Sequence, residues 1–156
     1  MFFYIFFGFL LLLASYFSYK IFVADMRRRI IPDVYLFPLM LIGLVLVTFY
    51  QWPITPIDAT IGATFGYLTA IIIGLIFDWK IKSKDKNAIT PIGMGDIKLI
   101  SIGGMWLGTT GLAIALIIAC ITGLFWGKKK KQRYLPFAPF FLIGAILTLI
   151  GTAFLL

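Results

Sequence analysis

The acidic side chains of this chain narrow the chemistry that it can perform. All six are Asp, and the sequence contains neither Glu nor His. Catalysis would therefore have to rely on Asp, Lys, hydroxyl groups and the main chain. Asp96 is the first candidate, because it lies in Gly-Met-Gly-Asp-Ile-Lys at 93–98, where a polar loop meets an apolar helix. A carboxylate at a membrane edge is costly unless it has a function.

Asp25, Asp33 and Asp96 each adjoin an apolar segment at what we predict to be the inner membrane face. Each also has an ordinary structural explanation. Asp25 can pair with Arg28 or Arg29 one turn onward, and Asp33 and Asp96 can cap the helices that they open. The other three acids are expected to be structural or solvated: Asp58 as a helix N-cap, Asp78 paired with Lys80 or Lys82, and Asp85 in a lysine-rich loop.

Two carboxylates brought together in a partly dry site would have a different role. They cannot both ionise comfortably, so they share a proton. The ionised group can take a proton from water while the protonated group polarises a peptide carbonyl, as in aspartic proteases. The residues alone leave open whether Asp25 or Asp33 partners Asp96. Lys98 either extends toward the membrane interface or sets the local potential.

Metal ions, cofactors and nucleic acid are not expected as partners. Cys120 is the only cysteine and lies in an apolar run, so we expect it to pack between helices. The net charge of +8 is explained by membrane orientation and contact with anionic lipid rather than by nucleic-acid binding.

The chain that must position these acids is very apolar. It is 62% hydrophobic and has a mean hydropathy of +1.04, whereas soluble domains are about half apolar. The spacing of Gly62 and Gly66 indicates closely packed helices. We predict an all-α integral membrane protein, one compact domain over 1–156, with six transmembrane helices at about 2–22, 34–51, 57–77, 97–108, 110–127 and 134–156.

The positions of Lys and Arg decide the number of crossings. They fall in three patches: Lys20 with Arg27–Arg29, Lys80 to Lys98, and Lys128–Arg133. Cytoplasmic loops collect basic residues. The glycines after residue 102 predict an interruption near 107–111, so that 97–127 crosses twice. All three patches then lie inside and both termini lie outside the cytoplasm.

Three motifs in this order resemble the type IV prepilin peptidases, which are GxGD membrane aspartyl proteases. Asp25 is followed by Pro32-Asp33, and Gly93-Met-Gly-Asp-Ile-Lys-Leu comes later. Leu135-Pro-Phe-Ala-Pro-Phe140 and Gly144 also resemble the last span of that family. The likeness covers nearly the whole chain.

The resemblance implies a peptidase of the bacterial inner membrane that removes the short basic leader of prepilins or pseudopilins at the cytoplasmic face. It makes Asp25 and Asp96 the catalytic pair and leaves Asp33 structural, with Pro32 shaping the turn. Gly93 and Gly95 would let the loop bring Asp96 toward Asp25.

The chain departs from the larger members, which carry a cysteine-containing cytoplasmic insert and also N-methylate their product. Its first inner loop has about ten residues and no Cys, so methyltransferase activity is not expected. Two other functions use the same features: a small ion- or proton-coupled transporter built on these acids, and a non-catalytic membrane subunit of a secretion system.

Overall fold

The computed structural model describes residues 2–83, 92–130 and 135–155. Its secondary structure over these residues is helical, which confirms the predicted all-α class. The helices are α1 (Phe2–Arg28), α2 (Asp33–Tyr50), α3 (Pro56–Lys82), α4 (Met94–Lys130) and α5 (Phe137–Leu155). Asp85 and the basic residues Lys131 and Arg133 lie outside the described residues.

Four of these helices, α1 to α4, are each long and apolar enough to cross a membrane. In α5 the apolar stretch that qualifies, Phe137–Thr152, is shorter than those helices. Helices suit the bilayer because each satisfies its own backbone hydrogen bonds within the segment. The chain is therefore a multi-pass helical membrane protein.

Helix α4 is interrupted at Gly108. The backbone there has φ 70° and ψ −176°, which is not helical, and a positive φ of this kind is readily adopted only by glycine. The interruption predicted near 107–111 is thus confirmed, and it divides α4 into 94–107 and 109–130.

The start of α3 corrects one expectation. Thr55, not Asp58, is the N-cap: its side-chain oxygen accepts the Asp58 N–H at 3.2 Å. The Thr55 hydroxyl in turn donates to Asp58 Oδ2 at 2.7 Å. Asp58 is therefore the third residue of the helix and completes a local capping arrangement. Pro56 precedes it at the first helical position, where a missing N–H has no consequence.

Glycines allow α3 and α4 to pack at short range, as the Gly62 and Gly66 spacing predicts. A Cβ placed on Gly62 would overlap the Gly104 carbonyl oxygen, and one on Gly66 would lie 2.9 Å from the Ile100 oxygen. The Ser101 hydroxyl also donates to the Ala63 carbonyl at 3.0 Å. Close backbone approach and interhelical hydrogen bonds are what hold helices together in lipid.

Helix α1 is arranged differently. It packs against α2 and α5, but over the described residues it makes no close backbone approach to α4. Tyr50 fixes the first end of α1, since its hydroxyl donates to the Phe3 carbonyl at 3.0 Å. α1 and α4, which carry Asp25 and Asp96, therefore stand apart from each other.

Candidate active site

Asp25 lies in the last turn of α1 and is buried, with 4% of its surface exposed. Its Oδ2 accepts a hydrogen bond from the Ala138 N–H at 2.8 Å. Ala138 is the second residue of α5, so the carboxylate of one helix satisfies an otherwise free donor at the start of another. A helix N-terminus also attracts negative charge. Asp25 and α5 thus position each other.

The end of α1 is set by Arg29. Its φ of 53° is left-handed, and its N–H donates to the Asp25 carbonyl at 2.9 Å, which closes the helix. The guanidinium attracts the Asp25 carboxylate. The expected ion pair of Asp25 with Arg28 or Arg29 is not formed within 4.0 Å in the described structure. The direct partner of the carboxylate is the main chain of α5 instead.

Asp96 is the third residue of α4, and its Oδ2 accepts the Gly93 N–H at 3.2 Å. Asp96 is therefore not the N-cap residue that was expected. Its carboxylate instead accepts, from the third helical position, the N–H of the residue before the helix. A Cβ on Gly93 would lie 3.4 Å from that same oxygen, an ordinary contact, so the bond itself does not require glycine. Capping and catalysis are compatible, since the bond uses one carboxyl oxygen.

Gly95 has a different role from the flexibility expected of it. A Cβ at this position would lie 2.9 Å from the Ile31 Cβ and 3.2 Å from the Ile31 carbonyl oxygen. The absence of a side chain therefore lets the first turn of α4 rest on the segment that joins α1 to α2. This contact places Asp96 on the side of the bundle where α1 ends.

A second contact joins the same two parts of the chain. Lys98 Nζ lies 2.6 Å from Asp33 Oδ2, so the first turn of α4 is ion-paired with the first residue of α2. Both side chains are largely exposed, at 45% and 68%. Pro32 precedes α2 as an extended residue, with φ −73° and ψ 134°. The helix cap expected of Asp33 is not formed, since α2 has Pro32 as its N-cap and no side-chain cap hydrogen bond. Asp33 pairs with Lys98 instead, and the two roles considered for Lys98 stay open.

Asp25 acts electrostatically on Asp96, although their helices make no close backbone approach over the described residues. Asp33 does not act on Asp96 in this way. Of the two acids that the residues left open as partners for Asp96, Asp25 is the one whose charge acts on it; their shared catalytic role stays a prediction.

The start of α5 belongs to the site, although the residues gave it no chemical role. Pro136 and Pro139 flank Phe137 and Ala138, and proline has no N–H to donate. Ala138 therefore offers one of the few free donors at this helix end, and Asp25 receives it. The two prolines at the start of an apolar helix could have indicated free N–H donors there, but they do not indicate which acid accepts from them.

The fold and the site together define a helical membrane protein with two electrostatically interacting carboxyl groups at the ends of two helices. The chain belongs to the type IV leader peptidase family, whose family model matches residues 5–128. Both Asp25 and Asp96 lie within the matched segment.

Curated relatives agree with this assignment. A prepilin leader peptidase/N-methyltransferase of Burkholderia pseudomallei (strain 1026b) is 34% identical over 140 residues, which cover 85% of this chain and 43% of the relative. A protein of the same name from Dickeya chrysanthemi is 31% identical, with 91% and 53% covered. The chain spans about half the length of these relatives. No solved structure matches.

Proposed function

We propose that this chain is a membrane-embedded aspartic endopeptidase that removes the leader of type IV prepilins or pseudopilins. The observation that carries the proposal is the pair of Asp25 and Asp96: Asp25, in the last turn of α1, acts electrostatically on Asp96, in the first turn of α4. Family membership and the names of the curated relatives point to the same substrate class.

The proposed chemistry uses both carboxyl groups. The ionised one takes a proton from a water molecule, and the protonated one donates a hydrogen bond to the carbonyl of the scissile peptide bond. Each acid has Oδ2 bonded to a main-chain N–H, of Ala138 for Asp25 and of Gly93 for Asp96. These bonds hold the carboxyl groups in place. Fixed geometry of this kind is a large part of catalysis.

We propose six membrane crossings with both termini outside the cytoplasm. In support, the two ends of α4 both lie beside the end of α1. Asp96 at the start of α4 interacts electrostatically with Asp25, while Trp126 and Lys130 near its last turn share a pocket with Arg29. A helix whose two ends lie at one membrane face must turn back, and Gly108 supplies the break. The basic ends of α1, α3 and α4 then face the cytoplasm, in accord with the positive-inside rule.

We further propose that the chain is a peptidase without methyltransferase activity. The segment between α1 and α2 has only the residues 29–32 and contains no cysteine. The insert that the resemblance associates with methylation has no place in this loop.

A transporter that uses the same acids is not favoured. Both acids lie at the ends of helices, Asp25 in the last turn of α1 and Asp96 in the first turn of α4. Acids that bind or relay ions across a membrane are expected within its depth. The ends of helices suit a substrate whose leader arrives from the cytoplasm.

The test is co-production with a type IV prepilin in a bacterial host that lacks its own prepilin peptidase. The mass of the pilin reports removal of the leader. Asp25→Asn and Asp96→Asn keep the side-chain size and are each expected to abolish cleavage, because positioned proton transfer contributes about 10²–10⁴-fold. Asp78→Asn is the matched control, since Asp78 is paired with Lys82 at 2.7 Å away from the site. Full cleavage by the Asp96→Asn variant would disprove the paired-acid mechanism.

A further inference from the structure

A small pocket lies where the ends of α1 and α4 meet the start of α5. Its walls are Met26 in the last turn of α1 with Arg29 directly after that helix, Trp126 and Lys130 near the end of α4, and Pro136 just before α5. Its volume is about 180 Å³, which is below the roughly 300–1,000 Å³ of pockets for drug-sized ligands. The pocket therefore suits a small chemical group rather than a peptide segment.

The charge of this pocket is positive. Arg29 and Lys130 are its charged walls, and none of the five described lining residues is acidic. Within the part of the chain that the structure describes, neither cation forms an ion pair within 4.0 Å, whereas Lys82 and Lys98 are each paired with an Asp. Two cations at one pocket repel each other, and an anion bound between them would relieve that repulsion.

Both cations are positioned by contacts that need no ligand. The ammonium of Lys130 lies over the ring of Trp126, 5.6 Å from its centroid, and a cation in this position is attracted to the aromatic face. The main chain of Arg29 is left-handed, with φ 53°, and its N–H donates to the Asp25 carbonyl at 2.9 Å. The two side chains therefore leave fixed points on opposite walls of the pocket.

Apolar surface adjoins the charged pocket. Met26 and Trp126 contribute to its walls, and Trp is enriched where a membrane meets water. Leu124 and Phe125 come directly before Trp126 on α4 and are 62% and 73% exposed. A ligand with an anionic group and apolar chains would use both surfaces, whereas a free phosphate ion would use only the first.

We infer that this pocket binds the phosphate of an anionic phospholipid, with Arg29 and Lys130 as its ligands. A guanidinium can donate two parallel hydrogen bonds to phosphate oxygens, and an ammonium adds a compact point charge. Basic pockets between membrane helices are suited to anionic headgroups. The acyl chains would lie against Leu124 and Phe125. The inference does not depend on the proposed peptidase function.

A lipid bound in this pocket would join the helix ends that position Asp25. Met26 follows Asp25 directly, and Arg29 closes the helix by its bond to the Asp25 carbonyl. Pro136 is two residues before Ala138, whose N–H binds the Asp25 carboxylate. Because a ligand that binds only the folded state stabilises it by mass action, occupancy of the pocket should raise the melting temperature of the protein.

Binding of a fluorescent phosphatidylglycerol to the purified chain in neutral detergent tests the inference. Arg29→Gln with Lys130→Gln removes the two pocket cations. The matched control, Arg27→Gln with Lys128→Gln, removes two exposed cations from the same helix ends, and neither of them lines the pocket. We expect about thirtyfold weaker binding for the first pair, because each basic residue contributes about fivefold to the attraction of anionic lipid. The control should stay within twofold of the parent. Equal losses for the two pairs would mean general charge attraction and would overturn the inference.

Two competitors separate a lipid from other sources of phosphate. Glycerol phosphate carries the same anionic group without acyl chains, and phosphatidylcholine carries acyl chains with its phosphate neutralised by choline. Each is expected to displace the fluorescent lipid at least tenfold less effectively than unlabelled phosphatidylglycerol does. Equal displacement by glycerol phosphate would make the pocket a site for free phosphate. Equal displacement by phosphatidylcholine would leave no role for the two cations, and either result would overturn the inference.

A single variant keeps the test independent of folding, since Arg29 also closes α1. Lys130→Gln changes an exposed side chain and should weaken binding about fivefold, while Lys129→Gln, its exposed neighbour outside the pocket, should not change it. Phosphatidylglycerol should raise the melting temperature of the parent and of Lys129→Gln more than that of Lys130→Gln. Parental binding by a folded Lys130→Gln protein would overturn the inference.

Discussion

Replacing Gly95 by Ala should separate the positioning of Asp96 from the stability of the bundle. The new Cβ would lie 2.9 Å from the Ile31 Cβ, about 0.5 Å short of the 3.4 Å at which ordinary contact begins. The same Cβ would lie 3.2 Å from the Ile31 carbonyl oxygen, so it could not move toward that atom to relieve the first contact. The first turn of α4 must therefore move away from the segment between α1 and α2, and Asp96 moves with it.

The size of the effect follows from that displacement. A misplacement of 1 Å in an active site costs about 10²-fold in rate, so a shift of about 0.5 Å should lower kcat/KM about tenfold. Stability should change little, because Ala is favoured over Gly within a helix by up to about 1 kcal/mol, which offsets the strain. Activity and stability are thus expected to diverge.

The assay combines leader removal from a purified prepilin in detergent with thermal unfolding of the same preparation. Gly8→Ala is the matched control, since a Cβ on Gly8 would meet nothing within 4 Å. A parental cleavage rate for Gly95→Ala would refute the claim that Gly95 positions Asp96. A loss of activity no larger than the loss of folded protein would refute it too.

Two further predictions concern contacts around the site and in the bundle. Asp33→Asn and Lys98→Met should each lower cleavage by less than about fivefold, because an exposed ion pair contributes about 0.2–1 kcal/mol. Exchanging the two charged residues should restore activity. Complete loss of cleavage with Asp33→Asn would instead make Asp33 a partner in the chemistry. Gly62→Ala should lower the free energy of unfolding by about 1–3 kcal/mol, because its Cβ would overlap the Gly104 carbonyl oxygen. Thermal unfolding measures this, with Gly151→Ala as the control because a Cβ there meets nothing within 4 Å. Equal melting temperatures of the two variants would contradict the prediction.

Local patterns predicted much of the fold. Apolar length indicated the membrane helices, and the glycines near 107–111 indicated the break that the backbone has at Gly108. A capping bond by Asp96 was predicted, but from the N-cap position, whereas Asp96 is the third residue of α4 and accepts the Gly93 N–H. Each of these features depends on neighbours within one or two turns. The capping role of Asp58 was misassigned, since a nearby Thr made the better N-cap.

Local patterns could not predict contacts between residues that are far apart in the sequence. The Asp25 carboxylate is bonded to Ala138, which is 113 positions away, and Lys98 reaches Asp33 across 65 positions. Choosing Asp25 over Asp33 as the partner of Asp96 came from the family resemblance, because both acids adjoin apolar helices in the same way. A role for Gly95 in placing Asp96 was predicted from the flexibility of glycine. Its close contact with Ile31 was not predicted.

The placement of Asp25 also explains why the end of α1 is fixed while its middle stands away from α4. The bond to Ala138 ties the last turn of α1 to the start of α5, and Tyr50 ties its first turn to α2. Between these ties no packing against α4 is required, so a cleft remains between the two helices. A bundle that closed this space would bring α1 onto α4 and leave no room for a peptide bond between the two acids that we propose as catalytic. The same anchoring that positions Asp25 therefore keeps the space beside it open.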